Sequence, residues 1–339
     1  MKDVLIENTI MQKGEQVDAN SKMLENFVSP FNAVIIDRLL SADYNISGRL
    51  GTQEFGIDNI YSTKTSLLPN IDLALCNDIF GTYRRLAPQN DLIYIHPTYG
   101  SVPRHGLIPL VSSMDQIGIL CKSHHDGFEL LSVISGKSDK DSAMLDAGPY
   151  KHSELDTMPK IYAPLPLTDA FTTKCDIVQA NLDMELLLMA NVIMHIIAAG
   201  EISNNISRYD GVRFGYRTKD YTTLDDLYIN SRTEGFTLDT KLMSVLGAYV
   251  QSADQYEVYY NHALKLRGKL QKAINFDTYD IIALPTTIGN DCYKDLSLYA
   301  LAPLLGLPSI SFSCGDIGLM LLAKPQGEKT LQKALEVFI

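Results

Sequence analysis

Apolar residues along this chain occur in two kinds of stretch: short unbroken runs bounded by turn residues, and longer stretches in which they recur every three to four positions. The first long stretch is "SPFNAVIIDRLLSADYNISGRLG", where Ser29 or Asn32 opens a helix with Val34, Ile35, Leu39 and Leu40 on one face, and a short strand follows. Turn residues around "STKTSLLPN" precede apolar runs at 73–75 and 92–95, which predict strands. "SSMDQIGILCKSHHDGFELLSVISG" predicts a strand up to Cys121, then a helix capped by Ser123, with Gly136 past its end. Residues 137–180 are richer in Pro, Asp and Lys, with a strand at 160–163. "NLDMELLLMANVIMHIIAAGEI" is apolar nearly all round and predicts a buried helix. Helices follow at 223–233 and 238–273, the second carrying Leu246, Val250, Tyr256, Tyr260, Leu264 and Leu270. "YDIIALPTT", "LPSISFSCG" and "IGLMLLAKP" are buried-strand candidates, and a helix at 328–338 closes the chain. Strands alternating with helices predict an α/β fold with a mixed or mainly parallel sheet. No repeat, low-complexity tract or linker divides the chain, so residues 1–339 are expected to form one domain.

Composition narrows the function classes. A chain of 339 residues that is 46% hydrophobic can fill a sizeable core. Its formal net charge of -11 argues against direct nucleic-acid or anionic-membrane binding, which depends on Lys and Arg. The five cysteines are odd in number and never form C-x-x-C, so neither a disulfide framework nor a zinc site is expected, and a reducing cytoplasm fits best. No run approaches the roughly 18 to 20 apolar residues needed to span a bilayer. No cofactor is implied. His124 and His125 lie in tandem at a helix start without the i, i+4 spacing of a helical metal site, and are expected to be solvated. Tyr256, Tyr259 and Tyr260 are expected to pack rather than to stack on a ligand.

Seven segments, in order over almost the whole chain, carry a resemblance: "KDVLIENTI", "SKMLENFVSPFNA", "HPTYGSVPRHGLIPLVSSMDQIGIL", "SNNISRYDGVRFGYR", "SRTEGF", "YDIIALPTT" and "LGLPSISFSCG". Together they resemble the amidase signature family, in its branch of glutamyl-tRNA(Gln)/aspartyl-tRNA(Asn) amidotransferase A subunits. The resemblance implies a central twisted mixed β-sheet flanked by helices. It also implies a Ser–cis-Ser–Lys triad that hydrolyses an amide through an acyl-enzyme, with ammonia passing to a partner subunit. The family lysine lies in a K-D-N motif at a strand end, and Lys2-Asp3 is assigned that place, so the domain is expected to lack the family's preceding helical segment. The Gly- and Ser-rich loop that supplies the bridging serine is expected to be missing, with only "IYSTKTSLLPNID", and in it Ser62 and Ser66, in its stead.

The family's D-T-G-G-S motif falls on "DIFGTYR". Asp78, Gly81 and Arg84 match it, Thr82 takes the nucleophile position, and Ile79 and Phe80 replace Thr and Gly in the oxyanion loop. Leu242 and Met243 replace an arginine pair that the resemblance associates with glutamine, and Asp115, Gln116, Arg208 and Asp210 match as supports of the site. A threonine needs a base within hydrogen-bond reach to act as a nucleophile, and loss of a positioned acid–base group removes about 10²- to 10⁴-fold in rate. The residues therefore favour a degenerate, non-catalytic amidase-fold protein that binds a partner, such as an amidotransferase-type subunit, or a small ligand. The alternative is an active amidase or glutamine-amidotransferase subunit working through Thr82 with Lys2 or another base.

Overall fold

The computed structural model describes residues 2–339 apart from 59–70, 154, 156, 168 and 289–291, and without the side chains of 169–170 and 292–293. Its centre is a 10-stranded sheet. The strands are β1 (Lys2–Glu7), β2 (Tyr44–Leu50), β3 (Leu73–Asn77), β4 (Ile93–His96), β5 (Ile117–Cys121), β6 (Ile161–Tyr162), β7 (Ile177–Val178), β8 (Ile281–Pro285), β9 (Ser309–Cys314) and β10 (Ile317–Ala323). They lie in the order β2-β1-β3-β5-β4-β9-β10-β8-β6-β7. Both ends of the sheet are parallel, β2-β1-β3 and β8-β6-β7, and the middle from β3 to β8 is antiparallel. The sheet is therefore mixed, not mainly parallel.

Helices cover both faces: α1 (Val34–Ser41), α2 (Thr82–Gln89), α3 (His124–Ile134), α4 (Asp169–Thr172), α5 (Met184–Leu188), α6 (Ala190–Ile206), α7 (Leu224–Gly235), α8 (Leu238–Val250), α9 (Asn261–Ala273), α10 (Cys292–Leu305) and α11 (Glu328–Leu335). The unbroken apolar runs are strands whose alternate residues feed different cores. In β8, Ile282 and Leu284 join the core that contains α6 and α10, while Ile281 and Ala283 join the core of α1, α3 and α11.

Local chemistry sets several boundaries. The Ser123 hydroxyl accepts the Asp126 amide at 3.4 Å and caps α3, and Thr223 and Asp226 cap α7 reciprocally. The first helix departs from the expected opening: Ala33 precedes it without a side-chain cap, while Ser29 donates to the Phe31 carbonyl and Asn32 to Asp37. Its buried face is Ile35, Ile36 and Leu39, with Leu40 exposed.

Two long helices of the sequence pattern are broken. The apolar segment before residue 206 forms α5 and α6, and the 238–273 segment forms α8, a π-helical turn at Tyr256–Tyr260, and α9. Gly200 on α6 explains the second break. A Cβ there would lie 2.7 Å from the Tyr260 ring and 2.9 Å from the Gln251 amide, so the chain bends closely around a helix that offers no side chain.

Candidate active site

Asp78, Ile79, Phe80 and Gly81 join the C-terminal end of β3 to α2, and a buried cation, Arg84, shapes this loop. Its Nε donates to the Asp78 carboxylate at 3.0 Å, one terminal nitrogen donates to the Asp78 and Ile79 carbonyls at 2.9 and 3.0 Å, and the other donates to the Tyr299 carbonyl. The Asp78 carboxylate also accepts the Arg84 amide at 2.9 Å. An ion pair away from water persists when its other donors are satisfied, as they are here. Gly81 has φ of +89°, and a Cβ on it would lie 2.7 Å from that of Tyr299, so the close approach of loop and α10 requires glycine. Ile79 and Phe80 are buried in the α6/α10 core, and the Phe80 ring packs 5.2 Å from that of His195 on α6.

Thr82 opens α2 and is half-buried. Its hydroxyl donates to the Asp58 carboxylate at 2.7 Å, and Arg85 reaches the same oxygen at 3.1 Å. The Asp58 carboxylate oxygen is therefore shared between the Thr82 hydroxyl and a guanidinium.

Lys2 does not belong to this group of residues. It begins β1, whereas the loop lies beyond the strand's other end: Ile6 pairs with Leu75 of parallel β3, and the Glu7 carboxylate accepts the Asn77 amide at 2.7 Å. Lys2 therefore lies about 17 Å further back, at roughly 3.3 Å per residue. Its ammonium is half-exposed and bonds Asp126 and Glu129 of α3, each at 2.7 Å. Those carboxylates, Asp126 foremost, push its pKa well above the ordinary lysine value, opposite to what a general base requires. The assignment of Lys2 to the base position is thus corrected by strand polarity.

The residue at the loop end of β1 is Glu7, which the motif pattern does not single out. It is completely buried, and its second carboxylate oxygen accepts the Thr9 hydroxyl at 3.0 Å. Burial raises its pKa to about 8, against the lowering effect of the Asn77 amide and Thr9, and nearby Asp78 adds to the rise. The sequence does carry a usable signal. The apolar run "VLI" ends at "EN", so the polar residue closing the strand is Glu7 and not the lysine that opens it.

Asn77 links Glu7 to two other expected residues. Its side-chain amide donates to Asp115 at 2.9 Å, and its side-chain carbonyl accepts the Gln116 amide at 3.0 Å. Asp115 also accepts the Leu110 amide at 3.1 Å, and burial raises its pKa. Gln116 accepts the Gly100 amide at 3.2 Å. These two residues brace the start of β5 against the end of β3. Arg208 and Asp210 serve another loop: Arg208 donates to Asn205 at 2.7 and 2.9 Å, and Asp210 accepts the Val212 amide at 2.8 Å. Ser62, Ser66 and most of their segment lie outside the described residues. On α8, Leu242 points to solvent and Met243 is partly buried.

Tyr256 and Tyr259 are exposed and Tyr260 half-buried, so the three tyrosines are not all packing residues. His125, Asp126 and Glu129 gather side-chain ligand atoms within 4.8 Å, a grouping that the tandem-histidine pattern does not reveal, but the carboxylates already hold the Lys2 ammonium. No helix among the described residues is long and apolar enough to cross a membrane.

Comparison with known proteins agrees with this architecture. The family model described as Amidase matches residues 69–161 and 172–293. The glutamyl-tRNA(Gln) amidotransferase A subunit of Lachnoclostridium phytofermentans is 32% identical over 403 aligned positions, covering 98% of this chain and 81% of the relative. That span exceeds the 339 residues of this chain, so the relative carries internal residues that have no counterpart here. Its namesake in Streptococcus mutans is 31% identical, again over 98% of this chain and 81% of its own length. Among solved structures, the glutamyl-tRNA(Gln) amidotransferase A subunit of Thermotoga maritima has a TM-score of 0.72 at 21% identity, covering 98% of this chain and 81% of that one. The 6-aminohexanoate cyclic dimer hydrolase has a TM-score of 0.73 at 16% identity, over 99% of this chain and 84% of that one. With a family model matched over more than half its length and relatives above 30% identity along nearly all of it, the chain belongs to the amidase family.

Proposed function

We propose that this chain is a non-catalytic amidase-family protein of the cytoplasm that works by binding, either to an amidotransferase-type partner subunit or to a small ligand at the inherited loop. The observation that carries this reading is Glu7. Where the resemblance calls for a lysine base at a strand end beside the nucleophile loop, this chain has a buried carboxyl, and its Lys2 is ion-paired at the far end of the same strand. Phe80 and Ile79 in place of small loop residues, and Leu242 and Met243 in place of the arginine pair, support the same conclusion. The partner class is suggested by relatives whose names describe them as one subunit of an amidotransferase.

One observation favours the alternative: the Thr82 hydroxyl bonds a carboxylate, Asp58, so a Thr82 nucleophile with a base other than Lys2 is geometrically available. Ammonia release from glutamine, asparagine and a panel of simple amides separates the two. No turnover above that of Thr82→Ala is expected. Turnover abolished by Thr82→Ala and by Asp58→Asn, but kept in Lys2→Ala, would establish the active reading.

A further inference from the structure

Helix α8 is apolar on two opposite sides. Its inner side, Thr240, Gly247 and Val250, is buried, and a Cβ on Gly247 would strike the Ala199 carbonyl of α6, so this side is fully occupied by the fold. Its outer side carries Leu238, Leu242, Val245 and Tyr249, exposed by 68, 58, 70 and 49%. At about 100° per residue these four lie within an arc of roughly 60°, the stripe of a helix that meets another helix. Leu246 flanks the stripe, and Tyr259 extends it, its ring 5.8 Å from that of Tyr249.

Two features select the occupant. The first is symmetry: the stripe residues are spaced four, three and four apart, so the pattern reads the same in both directions about a point between Met243 and Ser244. A second copy of α8 crossing antiparallel about a twofold axis would place Leu238 opposite Tyr249 and Leu242 opposite Val245, twice over, as an isologous interface requires. The second is area. These six side chains expose roughly 600 Å², so two copies would remove at most about 1,200 Å² from water, the lower edge of a specific interface. A patch of roughly 600 Å² is at the upper end of the about 300–600 Å² that the largest apolar patch of a monomer covers, and such patches are often interaction sites.

We propose that the chain self-associates through α8 as a twofold dimer, independently of whether the Thr82 loop retains any chemistry. The formal charge of -11 on each copy opposes association, whereas the seam itself is uncharged, so added salt strengthens the dimer by screening.

The test is sedimentation velocity on the full chain from about 1 to 200 μM, at low and moderate salt, with Val245→Glu, Leu242→Glu and, as a control on exposed α7, Leu224→Glu. Because these positions are solvent-exposed in the monomer, the melting temperature of each variant serves as the folding check. The expected result is a concentration-dependent species of twice the 37.7 kDa monomer mass, tightened by salt, weakened at least tenfold by either α8 substitution and unchanged by Leu224→Glu. A chain that stays monomeric at 200 μM, whether or not another protein binds the stripe, overturns the proposal. A dimer insensitive to both α8 substitutions, or one weakened by added salt, overturns it as well.

Discussion

Replacing Glu7 by Gln is the sharpest test of the inherited site, because it removes one titration while keeping the shape. A glutamine carbonyl can accept the Asn77 amide and its NH₂ group can donate to Thr9, so the contacts at 2.7 and 3.0 Å persist. An acid whose folded-state pKa lies above its unfolded value holds an extra proton in the folded protein between the two. Its stabilising contribution is therefore complete below pH 4.5 and is lost as pH rises through about 8. At about 1.4 kcal/mol per pH unit, that interval sets a ceiling near 5 kcal/mol, and relaxation around a buried charge brings the expected loss at pH 8 to roughly 2–4 kcal/mol. Burial lowers the pKa of His96 and His195, which titrate with the opposite sign, and both are shared by the two proteins. The quantity to follow is therefore the difference in urea stability between Glu7→Gln and the parent from pH 5 to 8.5. It should move in favour of the variant as pH rises and level off above pH 8. A difference that stays constant over that range would refute a buried, protonated Glu7.

Three further substitutions probe the loop edge of the sheet and the edge opposite it. Gly81→Ala imposes a side chain at positive φ against Tyr299 and should destabilise by about 2–4 kcal/mol in chemical denaturation. Arg84→Met leaves the Asp78 carboxylate buried without its cation, so a loss of about 3–5 kcal/mol and a lowered melting temperature are expected. Lys2→Ala removes only half-exposed ion pairs with Asp126 and Glu129, and its melting temperature should stay within about 2 °C of the parent.

How much of this was legible in the sequence follows from the reach of the forces involved. Strands β8, β9 and β10 are legible because each is a short apolar run closed by turn residues, and α3 and α7 because their caps are local bonds over three residues. The loop at 78–84 is legible only through the resemblance, whose motif Asp78, Gly81 and Arg84 match, and in the structure the Asp78 carboxylate accepts the Arg84 amide and Nε. What fails to show is set by distant contacts. The break after α8 depends on Gly200, some fifty residues earlier. The mixed sheet depends on β4 and β5 inserting antiparallel between β3 and β9, a pairing that no local pattern encodes. The outer stripe of α8 is written plainly at helical spacing, but the same letters describe a core-facing helix, and only the packing of Gly247 on α6 reveals which side is spare.

Strand direction also decides which residues can take part in chemistry at the loop. Parallel β1 and β3 deliver their C-terminal ends to one edge of the sheet, and antiparallel β5 delivers its N-terminal end there, so Glu7, Asn77, Asp78, Asp115 and Gln116 meet although they are far apart in sequence. Lys2 and α3 lie at the opposite edge, and no side-chain rotation spans a strand of six residues. The buried cation at the loop edge, Arg84, is already committed to Asp78 and to three backbone carbonyls, and a guanidinium does not deprotonate in proteins. Among the described residues, a hydroxyl activated by a neutral amine has no counterpart in this arrangement. Among the described residues the Thr82 hydroxyl meets a carboxylate instead, Asp58, which Arg85 also holds, while burial pushes the pKa of Glu7 up to about 8. The carboxyl at position 7 is therefore the residue on which the non-catalytic reading depends.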